Sequence, residues 1–383
     1  MSETPLSFWS APKYRLVRVL IYFAALVVAT EIGVFLYFSQ PDLIDRNQGN
    51  TTFAMPYLFR QMARHRGPKI AFIGSSVMQG YGNCLPDTHF PALIEKTLRE
   101  KYGMKNMAAY NLASAGNRFG DHFGNLVEAE RYHPTLVVMG ILLKMFSVSG
   151  TLVSPINHDE TIYYFRDEPD YLERYKKRFR VDPERYRQIW LDFQIRRLSQ
   201  TYRYRGLLNY FLTGDYERPS ASLSDWLKIK LDWQEAILTE SALTTQTERN
   251  EDYLWKLIPE HVIKLNYRLC EAFDFSDENL NWKTFEELCG YAEKHGINLL
   301  FYLNPICRPF NDQWGFFQWN EVVPLLKQRI LDVTQKHHLH VIDAVEKIDY
   351  RYFSDLDHMN MNGHRQMADY LLPHVVRQLN RGR

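Results

Sequence analysis

Residues 69–82 read KIAFIGSSVMQGYG. Ile70, Ala71, Phe72 and Ile73 form an unbroken apolar run that stops at Gly74, Ser75 and Ser76. A continuous run of this length, closed by a turn, is the pattern of a strand buried on both faces of a parallel sheet. Residues 90–102 follow as an amphipathic helix, with Leu93, Ile94, Thr97 and Leu98 on one side. AYNLAS (109–114) and TLVVMGIL (135–142) predict two further strands. Alternation returns near the other end, with a helix over 282–294 before the strand INLLFYL (297–303). A helix over 321–336 precedes LHVIDA (339–344), and residues 363–379 close as a helix. Strand–helix alternation in both halves predicts an α/β fold of three layers around a mostly parallel sheet. Neither half is complete alone, which predicts one domain interrupted by an insertion.

A second segment sets the topology. Residues 20–38 (LIYFAALVVATEIGVFLYF) carry a single charge, Glu31. As a helix they span about 28 Å, close to the bilayer core of about 30 Å. Lys13, Arg15 and Arg18 precede the segment, and Asp42 and Asp45 follow it. A Lys/Arg excess marks the cytoplasmic side, so the expected topology has the amino terminus inside and the remainder outside the plasma or inner membrane. The stretch SQPDLID lacks a small-x-small cleavage site, which favours a retained anchor over a cleaved signal. Glu31 is costly at that depth; it either meets a membrane partner, or is protonated or snorkels to the outer interface about two turns away.

The expected organisation is thus a cytoplasmic terminus (1–19), a transmembrane helix (20–38), a linker (39–67), the first part of the α/β domain (68–150), a helical insertion (151–281) and the second part (282–383). The insertion segregates its charge: residues 171–205 hold eleven Lys+Arg and four Asp+Glu, and residues 215–287 hold eight against sixteen. The basic, Tyr-rich part fits an anionic polymer or lipid headgroups, or is matched inside the fold by the acidic part.

Composition narrows the chemistry. The 383 residues carry 46 Lys+Arg and 45 Asp+Glu, a net +1 that argues against general nucleic-acid binding. Aromatic residues reach 14%, enough for a large aromatic core. Four cysteines (Cys84, Cys270, Cys289, Cys307) contain no CxxC, so no zinc or other metal site and no cofactor are expected, while one or two disulfides stay open. There is no GxxxxGK[ST] loop and no GxSxG elbow, and Gly80-Tyr81-Gly82 lacks the third glycine of a dinucleotide fingerprint.

Ser76 falls just past the first strand, at the carboxyl edge where open α/β sheets bind ligands. SDLDHMNMNGHRQMADYL (354–371) places Asp355 three residues before His358. A serine needs a base beside its hydroxyl and a carboxylate to hold the imidazole tautomer. Each piece alone also reads as a turn, a helix cap or a surface histidine. Asp357 is adjacent to His358, and adjacency is expected to point the two side chains apart, which leaves Asp355 as the partner. His364 competes as base but lacks the Asp-x-x-His spacing. Asn360 and Asn362 are expected to support a helix start; His122, His158 and Cys84 fit no constellation.

Together these residues resemble the SGNH (GDSL-like) hydrolase family, whose fold is an α/β/α, flavodoxin-like sheet. GSSVMQG looks like its first block, with Ser76 as nucleophile. YNLASAG (110–116) looks like its second, which implies that Gly116 gives a backbone N–H to the oxyanion hole. DLDHMNMNGHRQMA looks like its last, with Asp355 and His358 completing a triad and Asn360, Gly363 and His364 matching the helix entry. The resemblance spans residues 69–145 and 297–379, not the anchor or the insertion. It departs at the third block: where the family has Gly-x-Asn-Asp, this chain runs PTLVVMGILLKMF, placing Lys144 or a close neighbour at the Asn that donates to the oxyanion. Lys144 or Asn117 then substitutes, or activity is low or lost.

Family branches similarly divergent at this block act on cell-envelope polymers from a membrane anchor, in O-acetylation of polysaccharides and D-alanine transfer. The resemblance implies an esterase or O-acyltransferase acting on acyl esters of a cell-envelope polysaccharide. It also implies a membrane-bound O-acyltransferase as partner. A non-catalytic subunit of the same shape, binding polymer or docking on such an enzyme, is the rival expectation, and a tethered lipid esterase a second.

Overall fold

The computed structural model describes residues 15–40, 43–44, 46, 54–80, 86–147, 161–208, 256 and 273–381. The described residues group into two compact units, one within 1–43 and 190–219 and the other within 44–189 and 220–383. The insertion expected over 151–281 is therefore divided between the units. Cys84, Cys270 and His158 lie outside the described residues; Cys289 and Cys307 are buried free thiols.

The larger unit is built on five parallel strands: β1 (Lys69–Ile73), β2 (Ala108–Asn111), β3 (Leu136–Ile141), β4 (Leu299–Leu303) and β5 (His340–Asp343). Their order is β2-β1-β3-β4-β5. All four pairings are parallel, with Ile70 opposite both Ala109 and Leu136, and Val138 opposite Leu300. The first four strands are almost wholly buried, and β5, at the edge, keeps His340 and Asp343 exposed. Edge position alone does not set this contrast, since β2 is the other edge strand and is wholly buried. Each predicted strand is present: β3 and β5 are one residue shorter at each end, β4 begins two residues later, and β2 begins one residue earlier and ends three earlier.

The helices of chain order are α1 (Arg15–Tyr37), α2 (Met55–Arg64), α3 (Ser76–Gln79), α4 (Phe90–Glu100), α5 (Phe119–Glu130), α6 (Thr161–Tyr164), α7 (Pro169–Arg178), α8 (Pro183–Leu198), α9 (Gln200–Arg203), α10 (Leu280–Lys294), α11 (Arg308–Trp314), α12 (Val322–Lys336) and α13 (Met361–Arg381). In the larger unit α4 packs with α13, while α5 packs with α10 and α10 with α12. From β1 the chain passes through α4 to β2, then returns through α5 to β3 on the other side of β1. The strand order thus reverses about β1, and the loops leaving the carboxyl ends of β1 and β3 diverge there to form the crevice such sheets use for ligands.

An aromatic cluster fixes the loop after β3. Phe146 stacks on Trp282 at 3.8 Å between ring centroids and meets Phe119 at 4.8 Å and Phe285 at 5.6 Å. Phe146 ends the 3₁₀ turn Leu143–Phe146, so the cluster also sets where Lys144 begins. The insertion's charge is partly consumed inside the unit: Arg174 and Arg178, from the basic stretch, both pair with Glu287, from the acidic one.

The smaller unit contains α1, which has no buried residue, the carboxyl half of α8, and α9. Glu31 accepts hydrogen bonds from Ser199 Oγ (2.7 Å), from the backbone N–H of Thr201 (3.2 Å) and from that of Gln200. Phe38 stacks on Tyr204 at 4.5 Å. Glu31 thus has hydrogen-bond partners within its own chain.

Phe146→Ala is expected to destabilise the chain by about 3–5 kcal/mol through cavity formation. Denaturant unfolding of the full-length protein in detergent measures it, and a loss below about 1 kcal/mol would contradict the role given to the cluster.

Candidate active site

Ser76 opens α3, the single helical turn that follows β1. Two features force so abrupt a turn. Gly80 ends it in the left-handed region (φ 71°), where an added Cβ would lie 2.3 Å from the His89 ring. Gly74 leaves no room for a Cβ either, since it would fall 2.9 Å from Met78. Residues 71–75 and 77–80 are buried, and Ser76 alone in this stretch is half-exposed.

The loop after β2 is laced to this turn. Leu112 N–H donates to Phe72 O (2.7 Å), Ser114 N–H to Gly74 O (3.3 Å) and Asn117 Nδ2 to the same Gly74 oxygen (3.0 Å). Asn111 Nδ2 donates to Met78 O at 3.2 Å. Gly116 lies in this loop, exposed and in the left-handed region (φ 73°). The lacing holds the Gly116 loop on Gly74, two residues before Ser76.

The third contributor is the segment entering α13. Asp355 Oδ1 accepts the backbone N–H groups of Asp357 (2.9 Å) and His358 (2.7 Å), so the carboxylate closes its own turn. That leaves Oδ2 facing His358 Nδ1 at 2.6 Å, the geometry that Asp-x-x-His spacing allows. His358 Nε2 lies 2.8 Å from Ser76 Oγ. An antiparallel bridge between Phe353 and Met359, and Cys307 N–H donating to Leu356 O at 2.7 Å, pin the turn from outside. Asn360 Oδ1 caps α13 by accepting from Asn362 N–H (3.0 Å) and Gly363 N–H (3.1 Å). Gly363 is required there, since a Cβ would stand 2.8 Å from Tyr352 O and from Met359 Cβ.

The structure therefore brings Ser76, His358 and Asp355 into one hydrogen-bonded row. His364 is elsewhere: fully buried, it accepts from Phe90 N–H at 3.4 Å through Nδ1 and stacks on His89 at 5.5 Å. Asp357 departs from expectation. Adjacency to His358 does not turn it away; its Oδ1 lies 3.5 Å from the same Nδ1 that Asp355 engages. The tight Asp355 turn folds both carboxylates toward one ring edge. Asp357 is 2% exposed, and its charge is met by Lys144 Nζ at 2.5 Å. Lys144, where the third block would carry its Asn, is thus ion-paired, and Asn117 spends an amide hydrogen on Gly74. No sequence pattern announced the Lys144–Asp357 pair, because its partners are 213 residues apart and belong to different blocks.

Charges follow from these contacts. Burial pushes the Asp355 carboxyl up, but the His358 charge and the hydrogen bonds from its ring and backbone hold it well below the usual carboxylate range. Burial alone would lower His358; the Asp355 charge and hydrogen bond, with Asp357, carry it above its ordinary 6.5, while Lys144 pulls it down. The donor atoms of Asp355, Asp357 and His358 lie within 4.8 Å of one another, the one such trio among the described residues. Each is already engaged, Asp355 by two N–H groups and the ring, and Asp357 by Lys144.

His122, on α5, is fully buried, and burial pushes its ring down to about 4 against the favourable Gly74 carbonyl. It is neutral at pH 7 and packs beside the turn that presents Ser76.

No family model matches this chain, and no curated protein matches it at a significant level. Among solved structures, an alpha/beta hydrolase enzyme from the metagenome of Lake Arreo is 12% identical, covering 82% of this chain and 96% of its own, with a TM-score of 0.35. An acetyl xylan esterase is 10% identical over 80% of this chain and 99% of its own, TM-score 0.37. A member of the lipolytic protein G-D-S-L family from Veillonella parvula is 10% identical over 81% and 100%, TM-score 0.36. Overlaps at that level carry no weight for function, which rests on the chain's own geometry.

His122 gives a pH signature. Its unfolded ring takes a proton near 6.5 and its folded ring only near 4, so stability should fall as pH drops through that window. His122→Phe is expected to flatten the melting-temperature slope between pH 6.5 and 4, whatever it does to the absolute value. An unchanged slope would show that other groups govern the acid limb.

Proposed function

We propose that the chain is a membrane-anchored serine esterase or O-acyltransferase of the SGNH type, acting outside the membrane on acyl esters of a cell-envelope polysaccharide. The observation that carries this is the Ser76–His358–Asp355 row at the carboxyl end of β1. Asp355 fixes the ring so that Nδ1 carries the hydrogen and Nε2 presents its lone pair to Ser76. His358 takes the Ser76 proton as Oγ attacks the ester carbonyl, and Asp355 stabilises the imidazolium that results. The backbone N–H groups of Ser76 and Gly116 receive the oxyanion. His358 returns the proton to the leaving alcohol, and the acyl-serine then passes to water or to a sugar hydroxyl. No metal or cofactor is assigned to the reaction.

The anchor assignment rests on α1: 23 residues, apolar and unburied, with Arg15 and Arg18 at its first turn. A polysaccharide substrate and a membrane-bound acyltransferase partner rest on the resemblance of the motif blocks alone. One observation favours a non-catalytic, polymer-binding reading: the residue at the third-block position is ion-paired to Asp357 rather than presented as an amide donor.

Full-length protein in detergent, treated with a fluorophosphonate probe and with p-nitrophenyl acetate, separates the two. Wild type should label and turn over, with Ser76→Ala and His358→Ala each lowering turnover by about 10³ or more. Absence of labelling in folded wild type would select the non-catalytic reading.

Lys144 is expected to tune the base. It disfavours the imidazolium and neutralises Asp357, so Lys144→Met should raise the His358 pKa and move the acid limb of kcat/KM to higher pH. Adding Asp357→Asn should move the limb back. A pH profile that does not shift in Lys144→Met would show that the pair is structural only.

A further inference from the structure

We propose that residues 190–204 form a second membrane element, embedded in the outer leaflet beside α1, whose apolar face is covered by lipid acyl chains. This rests on α1 being the membrane anchor and goes beyond it, since the anchor alone requires no second element. Four groups carry the inference, all within the smaller unit.

The first is depth. Glu31 lies six residues before the end of α1 at Tyr37, about 9 Å along the helix axis. Its hydrogen bonds to Ser199 Oγ and to the N–H groups of Gln200 and Thr201 fix those residues at the same level. The second is direction. Phe38 stacks on Tyr204, so the chain climbs from the level of Glu31 to the end of α1 within five residues.

The third is the apolar face of α8. Trp190, Leu191, Ile195 and Leu198 are all exposed, Leu198 to 86%. At 3.6 residues per turn they cover an arc of about 140°. Asp192 and Arg196 lie on the opposite side and pair with each other at 2.6 Å, and Tyr202 and Arg205 add to Asp192. Gln194 falls within that arc and the exposed Arg197 stands at its edge beside Trp190, so the face is apolar with a basic margin, which suits the boundary between acyl chains and headgroups.

The fourth is the break at Ser199. Where α8 passes into α9 the N–H groups of Gln200 and Thr201 lose their helical acceptors, a defect that hydrocarbon does not forgive. Glu31 supplies both acceptors and receives the Ser199 hydroxyl as well. A carboxylate in the anchor is explained as the acceptor that lets a broken helix sit at that depth. Lipid is favoured over a protein partner because Leu198, adjoining Ser199, and Val28 and Ile32, flanking Glu31 on α1, are all exposed apolar side chains near one level.

Full-length protein floated with phosphatidylcholine vesicles tests this. Trp190 is isolated by subtracting the emission of Trp190→Phe from that of wild type, in vesicles brominated along the acyl chain and separately with aqueous iodide. Acyl bromines should quench most of the Trp190 emission while iodide leaves it, and Glu31→Leu should reverse both, with Glu31→Gln retaining part of the lipid quenching. Iodide access in wild type overturns the proposal, and so does shielding from both quenchers, which would mean a protein covers the face. A chain that fails to float removes the anchor and this element together; one that floats with Trp190 in water removes this element alone. Ester turnover is read in parallel and is independent of both.

Discussion

Ser76 Oγ and His358 Nε2 lie 2.8 Å apart although 282 positions separate them in the chain. No local propensity produces that contact; it exists because β1, β3, β4 and β5 stack in register as one parallel sheet. Parallel strands place all their carboxyl ends on one edge, and the strand order reverses about β1. Every loop that matters leaves from that edge: the Gly74–Gly80 turn after β1, the Gly116 loop after β2, the Lys144 turn after β3, and the Asp355 turn downstream of β5. The inner strands are apolar on both faces, so their register is held by side-chain size and close packing rather than by an apolar/polar alternation. The site's geometry is inherited from the packing of the core.

Within that frame the charges are arranged as a closed group. Asp355, Asp357, His358 and Lys144 bring two carboxylates, one titratable ring and one ammonium into contact. Two carboxylates against one imidazole would hold the ring protonated and useless as a base near neutrality. Lys144 offsets the second carboxylate, so the row to Ser76 works against one net negative charge rather than two. The cation at Lys144 thus has its charge met by the neighbouring Asp357. Burying such a group is tolerable only when every partner is present, since removal of one leaves an uncompensated charge.

Much of this was legible beforehand. The apolar runs located all five strands, and the Asp-x-x-His spacing located the turn whose carboxylate accepts two of its own N–H groups. Asn360 and Gly363 read correctly as helix entry, the first for its cap and the second because Tyr352 O leaves no room for a Cβ. Other features were illegible for identifiable reasons. Helix α5, with its two glycines and a histidine, has weak intrinsic propensity and is held by packing against α10. The Asp357 orientation depends on the tightness of a turn, which no one-residue spacing rule captures. Lys144 could be placed at the departed block but not paired, since its partner is set by tertiary contact. The residues Glu31 engages lie 168 to 170 positions away, beyond any local pattern.

Glu31 and Asp355 obey the same rule. Each is a carboxylate that accepts from two backbone N–H groups and one side chain. For Glu31 the side chain is the Ser199 hydroxyl, where the row ends, and the result is attachment. For Asp355 the side chain is an imidazole with a second nitrogen, and the row continues to a hydroxyl that is half-exposed at the carboxyl edge of the sheet. A proton can move along the second row and not along the first. The two carboxylates therefore differ by one ring nitrogen and by the half-exposed Ser76 beyond it, amid buried neighbours, and it is on that serine that the proposed chemistry rests.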